Sequence, residues 1–281
     1  MKIGPYELYA IEHGDFKLDG GAMFGVVPKV LWEKTNPADE KNRIDMALRS
    51  LLLVGDSRVI LVDTGIGDKL PPKLMSIYQV DYSRRNTEKS LERVGINRTD
   101  VTDVILTHLH FDHAGGATRL DDNGNVVPAY PNATYYIQKG QFAWGKKPSE
   151  RDRASFFPEN YLPLKEAGQL KLLDGSTELF PGIEVRALFG HTPAMQVVRV
   201  YSARQTLLYC ADLIPTASHI PLPWIMAYDL NPLLTLEEKK DILPTAVSEN
   251  WILMYEHDPF HAASRVVFTG KDYKMGEEVV F

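Results

Sequence analysis

Two β-type runs, Arg49–Val54 and Arg58–Asp63, flank Gly55-Asp56-Ser57, a spacing that predicts a hairpin opening a sheet. Thr87–Val94 reads as a short helix closed by Gly95, and the apolar run Val101–Thr107 after it reads as a strand. Further strands are expected at Ala133–Gln138, Gln169–Leu173, Ile183–Leu188, Gln196–Tyr201, Thr206–Cys210 and Trp251–Tyr255. Their density predicts a core that is mostly β. Near the C-terminal end, Thr235-Leu236-Glu237-Glu238 has the capping-box pattern and predicts a helix to about Glu249, kinked or broken at Pro244.

Composition narrows the class. The chain has 281 residues, 44 % hydrophobic and 24 % charged, enough for a sizeable core in one or two domains. A net charge of −6 lacks the basic face that nucleic acid demands. No stretch approaches the length needed to span a bilayer, and Met1–Asp15 has no apolar leader-like core, so the expectation is a cytoplasmic protein that binds no membrane. A lone cysteine, Cys210, excludes an internal disulfide and fits a reducing compartment; core packing is its expected role.

The chemistry is concentrated in Thr107-His108-Leu109-His110-Phe111-Asp112-His113-Ala114-Gly115-Gly116, which places three histidines and a carboxylate in six positions after an apolar run. Neutral imidazoles and carboxylates are what borderline divalent cations prefer. Alternation at His108 and His110 aims two imidazoles at one ion, while Asp112 and His113 face elsewhere, which suggests two adjacent metals.

This H-x-H-x-D-H run resembles the signature of the metallo-β-lactamase superfamily. Three later segments extend the resemblance: Phe189-Gly190-His191-Thr192-Pro193, Tyr209-Cys210-Ala211-Asp212 and Tyr255-Glu256-His257-Asp258-Pro259. The resemblance implies His108, His110 and His191 on one metal, Asp112, His113 and His257 on the other, and Asp212 bridging. It also implies an α+β fold, the four-layer αββα sandwich, with the metals at one edge. Ligands spread from residue 108 to residue 257 must meet at one site, so a single domain over residues 1–281 is expected. Asp63, in Leu61-Val62-Asp63-Thr64-Gly65, is implied to orient a ligand imidazole, the alternative being a simple turn cap. His219 and His261 are expected in the pocket wall or behind the ligands, and His13 carries no assignment.

For a site of this kind the resemblance implies a metal-bridging hydroxide attacking an ester-type bond, with Asp112 both ligand and proton carrier. The two divalent ions are expected to be zinc, with iron, manganese and cobalt also compatible. The segment Asp19-Gly20-Gly21-Ala22-Met23-Phe24-Gly25-Val26-Val27-Pro28 with Leu31-Trp32, and Asp212-Leu213-Ile214-Pro215-Thr216 with His219 and Pro223-Trp224, resemble a branch of quorum-quenching lactonases whose relatives include methyl parathion hydrolase-like enzymes. Met23, Phe24, Val26, Leu31, Trp32 and Trp224 either wall an acyl or aryl pocket or are core. Lactonases of the best-known type carry a tyrosine where this chain has Pro215, and Tyr228 is the expected replacement.

The expected function is therefore metal-dependent hydrolysis of a small substrate with an apolar acyl or aryl part, foremost lactone ring opening of the N-acyl homoserine lactone kind. Organophosphotriester or thiolester hydrolysis is the alternative. A di-iron redox protein is the reading from another class, opposed by His110 in a slot where such proteins carry a carboxylate. Oligomeric state stays open, a homodimer being one of the states allowed.

Overall fold

A computed structural model describes residues 1–281. The hairpin is present: β3 (Arg43–Gly55) and β4 (Arg58–Val62) join through Asp56 and Ser57, both at positive φ (50° and 59°), the twist a two-residue loop needs. With β1 (Lys2–Ile3) and β2 (Tyr6–Asp19) on one side and β5 (Asp103–Ile105), β8 (Thr134–Gln138) and β9 (Leu170–Leu173) on the other, they form a seven-stranded sheet in the order β1-β2-β3-β4-β5-β8-β9. Strands β6 (Thr118–Leu120) and β7 (Val126–Pro128) make a small separate ribbon.

The second sheet has seven strands in chain order: β10 (Thr177–Phe180), β11 (Ile183–Leu188), β12 (Met195–Tyr201), β13 (Thr206–Tyr209), β14 (Ile252–Met254), β15 (Ala263–Phe268) and β16 (Tyr273–Val279). Leu51, Leu53, Ile60, Val62 and Ile105 of the first sheet share one buried cluster with Val185, Val197, Val198, Leu207 and Ile252 of the second, so the sheets pack face to face. On the outer face of the first sheet, Leu52, Leu61, Val104 and Ile137 meet Leu91 and Phe142 from the helices Thr87–Arg93 and Lys139–Lys146. The helix Pro232–Ser248 covers the second sheet. This is the expected αββα sandwich, and no helix is long and apolar enough to cross a membrane.

Several boundaries move. The run 101–107 is extended, but only Asp103–Ile105 pairs as strand. The C-terminal helix begins at Pro232, not Thr235, and runs through Pro244 without a break. Proline at the first helical position costs no hydrogen bond, and the Thr235 and Glu238 side chains are turned to partners outside the helix, so their pattern caps nothing. Strand β2 emerges where no element was expected: it is buried on both faces, Leu8 in the cluster between the sheets and Ile11 in the outer one, and a bulge between Glu12 and Gly14 shifts the phase again before Phe16 and Leu18.

Four strands end at one edge of the sandwich and deliver the chemistry there: β5 precedes the histidine motif, β11 precedes His191, β13 precedes Asp212 and β14 precedes His257. The two sheets are stitched at that edge, since Gln196 N donates to Thr107 O (2.8 Å) and Ala47 N to His257 O (3.0 Å). Buried Arg49 adds a clamp, donating through Nη1 to Tyr255 O and Asp258 O (both 2.9 Å) on either side of His257.

Candidate metal centre

After β5 the chain stays extended through His110 and then turns into the short helix Phe111–Ala114, so His108 and His110 project from extended backbone and Asp112 and His113 from a helical turn. Gly115 and Gly116 follow for a steric reason: a Cβ on either would lie 2.0 Å from Ile66 O or 2.2 Å from Thr64 O. That contact presses the motif onto the turn carrying Asp63.

All seven expected ligand residues meet there, and all are buried. His110 Nδ1 lies 3.0 Å from His108 Nε2 and 3.2 Å from His191 Nε2. Asp212 Oδ2 faces this group, 3.1 Å from His191 Nε2 and 3.8 Å from His108 Nε2. Its other oxygen, Oδ1, faces a second group, 3.4 Å from His257 Nε2 and 3.5 Å from His113 Nε2. Those two nitrogens are 3.1 Å apart, and Asp112 Oδ2 lies 3.7 Å and 3.9 Å from them.

The outer nitrogens show why these donors point inward. His191 Nδ1 donates to Asp229 Oδ1 (2.8 Å) and His257 Nδ1 to Ala47 O (2.9 Å). Thr107 gives its hydroxyl proton to Asp63 Oδ2 (2.6 Å), so its oxygen accepts from His108 Nδ1 (3.0 Å). His113 Nδ1 donates to Asp63 Oδ2 at 3.2 Å; Glu256 Oε2 is closer, at 2.8 Å, but is not aligned for a hydrogen bond. With these outer partners, each of the four imidazoles can turn a bare Nε2 to the centre once a cation takes the place of its inner proton. Packing so many basic nitrogens together is costly without a cation, and Asp212 Oδ1 is buried with no hydrogen-bond partner. Ligands about 2.0–2.2 Å from a tetrahedral zinc-like ion stand roughly 3.3–3.6 Å apart, and the separations of these atoms, 3.0 to 3.9 Å, bracket that spacing. The donor set fits two divalent cations, with Asp212 offering one oxygen to each.

Protein charge alone distributes protons unevenly. Burial and the neighbouring His113 and His110 hold His108 well below the ordinary histidine range, and burial with His191 does the same to His110. Against the opposing effect of burial, Asp212 and Asp229 lift His191 to about 10, and Glu256 and Asp212 lift His113. Burial raises Glu256 to about 8.

Beside the centre lies a cavity of about 420 Å³, lined by Leu18, Met23, Tyr78, Phe111, Met226 and Tyr228 and floored by Asp112, Asp212 and His257. Tyr228 and Tyr78 thus share a cavity with the centre, and Tyr78 stacks on Phe111 at 5.0 Å. Of the six apolar residues expected as wall or core, Met23 lines the cavity, Phe24, Trp32 and Trp224 pack together behind it, and Val26 and Leu31 face solvent at 93 % and 47 % exposure. His219 backs the wall, stacked on Phe24 at 4.7 Å and donating to Met23 O. His261 is corrected: it sits on the surface against Glu278, because Asp258 binds its backbone N–H and folds the chain away from the centre. Cys210 is buried core, as expected, and His13 is scaffold, bonded to Thr87 and Ser50. Asp63 receives Thr107 and His113 and is more than a turn cap. Asp229, Glu256, Tyr78 and Arg151, which lines the cavity and donates to Ala227 O at 2.6 Å, had no assignment in the sequence; only the charge of Glu256, between an apolar strand and His257, marked one of them there.

The profile of the metallo-beta-lactamase superfamily matches residues 49–251. An N-acyl homoserine lactonase from a Bacillus species is 32 % identical over 226 residues, covering 76 % of this chain and 82 % of the relative. Another, from Bacillus cereus, is 26 % identical over 178 residues; that match covers 59 % of this chain and 63 % of the relative, just under two thirds of its length. The crystal structure of a probable metal-dependent hydrolase from Staphylococcus aureus superposes with a TM-score of 0.89 at 28 % identity, over 100 % of both chains. A dizinc quorum-quenching lactonase bound to its product N-hexanoyl-L-homoserine has a TM-score of 0.81 at 23 % identity, over 100 % of this chain and 97 % of the other, a likeness of fold.

Proposed function

The chain belongs to the metallo-beta-lactamase superfamily, and from that premise we propose that it is a lactonase, a single-domain dinuclear hydrolase that opens the ring of lactones carrying an apolar acyl group. One observation carries the reading furthest: the two-metal donor set opens directly onto a pocket with an apolar side, Leu18, Met23, Phe111 and Met226, a polar side with Arg151, Asp152 and Ser155, and a phenol, Tyr228, in its lining. His108, His110, His191, Asp112, His113, His257 and Asp212 would hold two divalent ions, zinc by preference, whose chemistry when bound would be to make hydroxide available near neutral pH and to draw charge from the ester oxygens. The residues do the rest. Leu18, Met23 and Met226 take the acyl chain out of water, worth about 0.8 kcal/mol per buried CH₂. Tyr228 is 37 % exposed, and its phenol, raised above the ordinary pKa by partial burial and by Tyr78 and Asp112 beside it, stays protonated and can donate to the lactone carbonyl, the part left open by Pro215. Asp112 reaches the centre through one carboxylate and is placed to carry a proton to the departing alkoxide oxygen.

The Bacillus relatives named as lactonases support the substrate class. The test compares kcat/KM of the purified, metal-loaded protein on homoserine lactones of increasing acyl length, on an aryl phosphotriester and on a thiolester. Rates rising with acyl length, above those on the other two classes, are expected. Higher kcat/KM on the phosphotriester or thiolester would transfer the function to that class.

A further inference from the structure

Lys239, on the inner face of the helix Pro232–Ser248, is completely buried. Buried lysines are rare and ordinarily find a carboxylate. This one donates only to main-chain carbonyls: His219 O and Pro221 O at 2.7 Å, Trp224 O at 3.1 Å and Leu222 O at 3.3 Å. All four come from one stretch of six residues, which wraps its carbonyls around a single point. Converging carbonyl dipoles repel one another unless a cation sits among them, and ring-like sets of such oxygens are how proteins strip and hold monovalent ions.

We propose that Lys239 is a tethered ammonium filling a monovalent-cation cage, and that this cage is the positioning device that fixes the apolar wall of the substrate pocket. Burial pushes the amine down to about 7, opposed by the charges of Asp229 and Asp272 nearby, and the four oxygens it donates to can only accept protons, which favours the ammonium form. The path from cage to pocket is short. The His219 ring, two atoms from the caged carbonyl, stacks on Phe24 and holds Met23 O at 2.8 Å. Trp224 meets Phe24 edge-on at 5.6 Å, and three residues on Ala227 N donates to Ala22 O at 2.8 Å. Met23, Met226 and Tyr228, which line the pocket, are therefore held by a loop whose shape Lys239 sets. Lys239 touches neither substrate nor metal-facing atoms, so its loss should act on binding.

Lys239→Ala leaves a space open to a free cation. The kinetic half of the test rests on the lactone reading; metal content and thermal midpoint do not. Expected are two metals bound as in the wild type, a lowered thermal midpoint, and KM for a long-chain lactone raised on the order of tenfold with kcat held within about twofold. Ammonium or methylammonium chloride should restore midpoint and KM, whereas tetramethylammonium chloride at equal ionic strength, which has no N–H to donate, should not. A folded variant with wild-type midpoint and KM would overturn the proposal, as would a loss indifferent to every small ammonium ion. If the wild type opens no lactone, the substrate reading falls alone and recovery of the midpoint by ammonium still decides the cage. If the alanine variant is insoluble in all salts, Lys239→Met, which fills the volume without charge, takes its place: a wild-type midpoint overturns the proposal and a lowered one upholds it.

Discussion

Asp212 offers one oxygen to each half of the centre, and no other residue does. Asp212→Ala should therefore cost bound metal, read by elemental analysis, and lower kcat by at least about 100-fold, the scale of losing one preorganised charge at a reacting site. Tyr228→Phe removes only a neutral donor and should lower kcat/KM on lactones about tenfold with metal content unchanged. His219 gives a pH signature. Its folded-state pKa is lowered to about 4 by burial, against an ordinary 6.5, so between those values the unfolded chain binds the proton that the folded one refuses. Stability then falls as pH drops from about 6.5 to about 4, by up to roughly 3 kcal/mol from this residue. Urea unfolding of wild type and His219→Gln across that window should show a shallower fall in the variant; parallel curves would remove His219 from the account. At this scale the sequence was most legible where chemistry is local. The histidine motif declares itself within six positions, whereas Asp229 and Glu256 gain meaning only because the fold carries them 2.8 Å from His191 and His113.

The helix Pro232–Ser248 shows how one element serves several parts of the site. Its Thr235 donates to Asp229, which holds His191; Glu238 accepts from Phe189 N and Gly190 N in the same loop; Lys239 fills the carbonyl cage. Thr235→Val keeps the shape and removes the bond to Asp229, so metal affinity should fall about 10- to 100-fold in a chelator competition, the usual effect of loosening a ligand's support. An unchanged affinity would show that Asp229 needs no help from the helix. The same residues explain the misplaced helix start: a Thr-x-x-Glu pattern is equally satisfied by partners in tertiary structure, and local spacing cannot tell the two apart. Strand β2 was hidden for a related reason, since the bulge at Glu12 and Gly14 breaks the alternation that marks a half-buried strand. The hairpin β3–β4 was visible because its turn and both strands are contiguous.

In the whole molecule, two sheets meet where the ligands do, so binding metal also ties the halves of the sandwich together. Removing it with a chelator should lower the thermal midpoint by on the order of 10 °C, given about 4 kcal/mol of linkage at metal a thousandfold above Kd. An unmoved midpoint would mean that the donors are equally well held without ions. The strand-rich core was legible from hydrophobic runs, but the αββα arrangement came with the family resemblance, because periodicity says which faces are buried and not which sheet a strand joins. The measurement that bears most directly on the central claim is a titration of metal-free protein with zinc, followed by proton release from an N-acyl homoserine lactone. Two cooperating ions should give little turnover with the first equivalent, a steep rise with the second, and a plateau beyond two. Full activity at one equivalent, or turnover indifferent to metal, would contradict it.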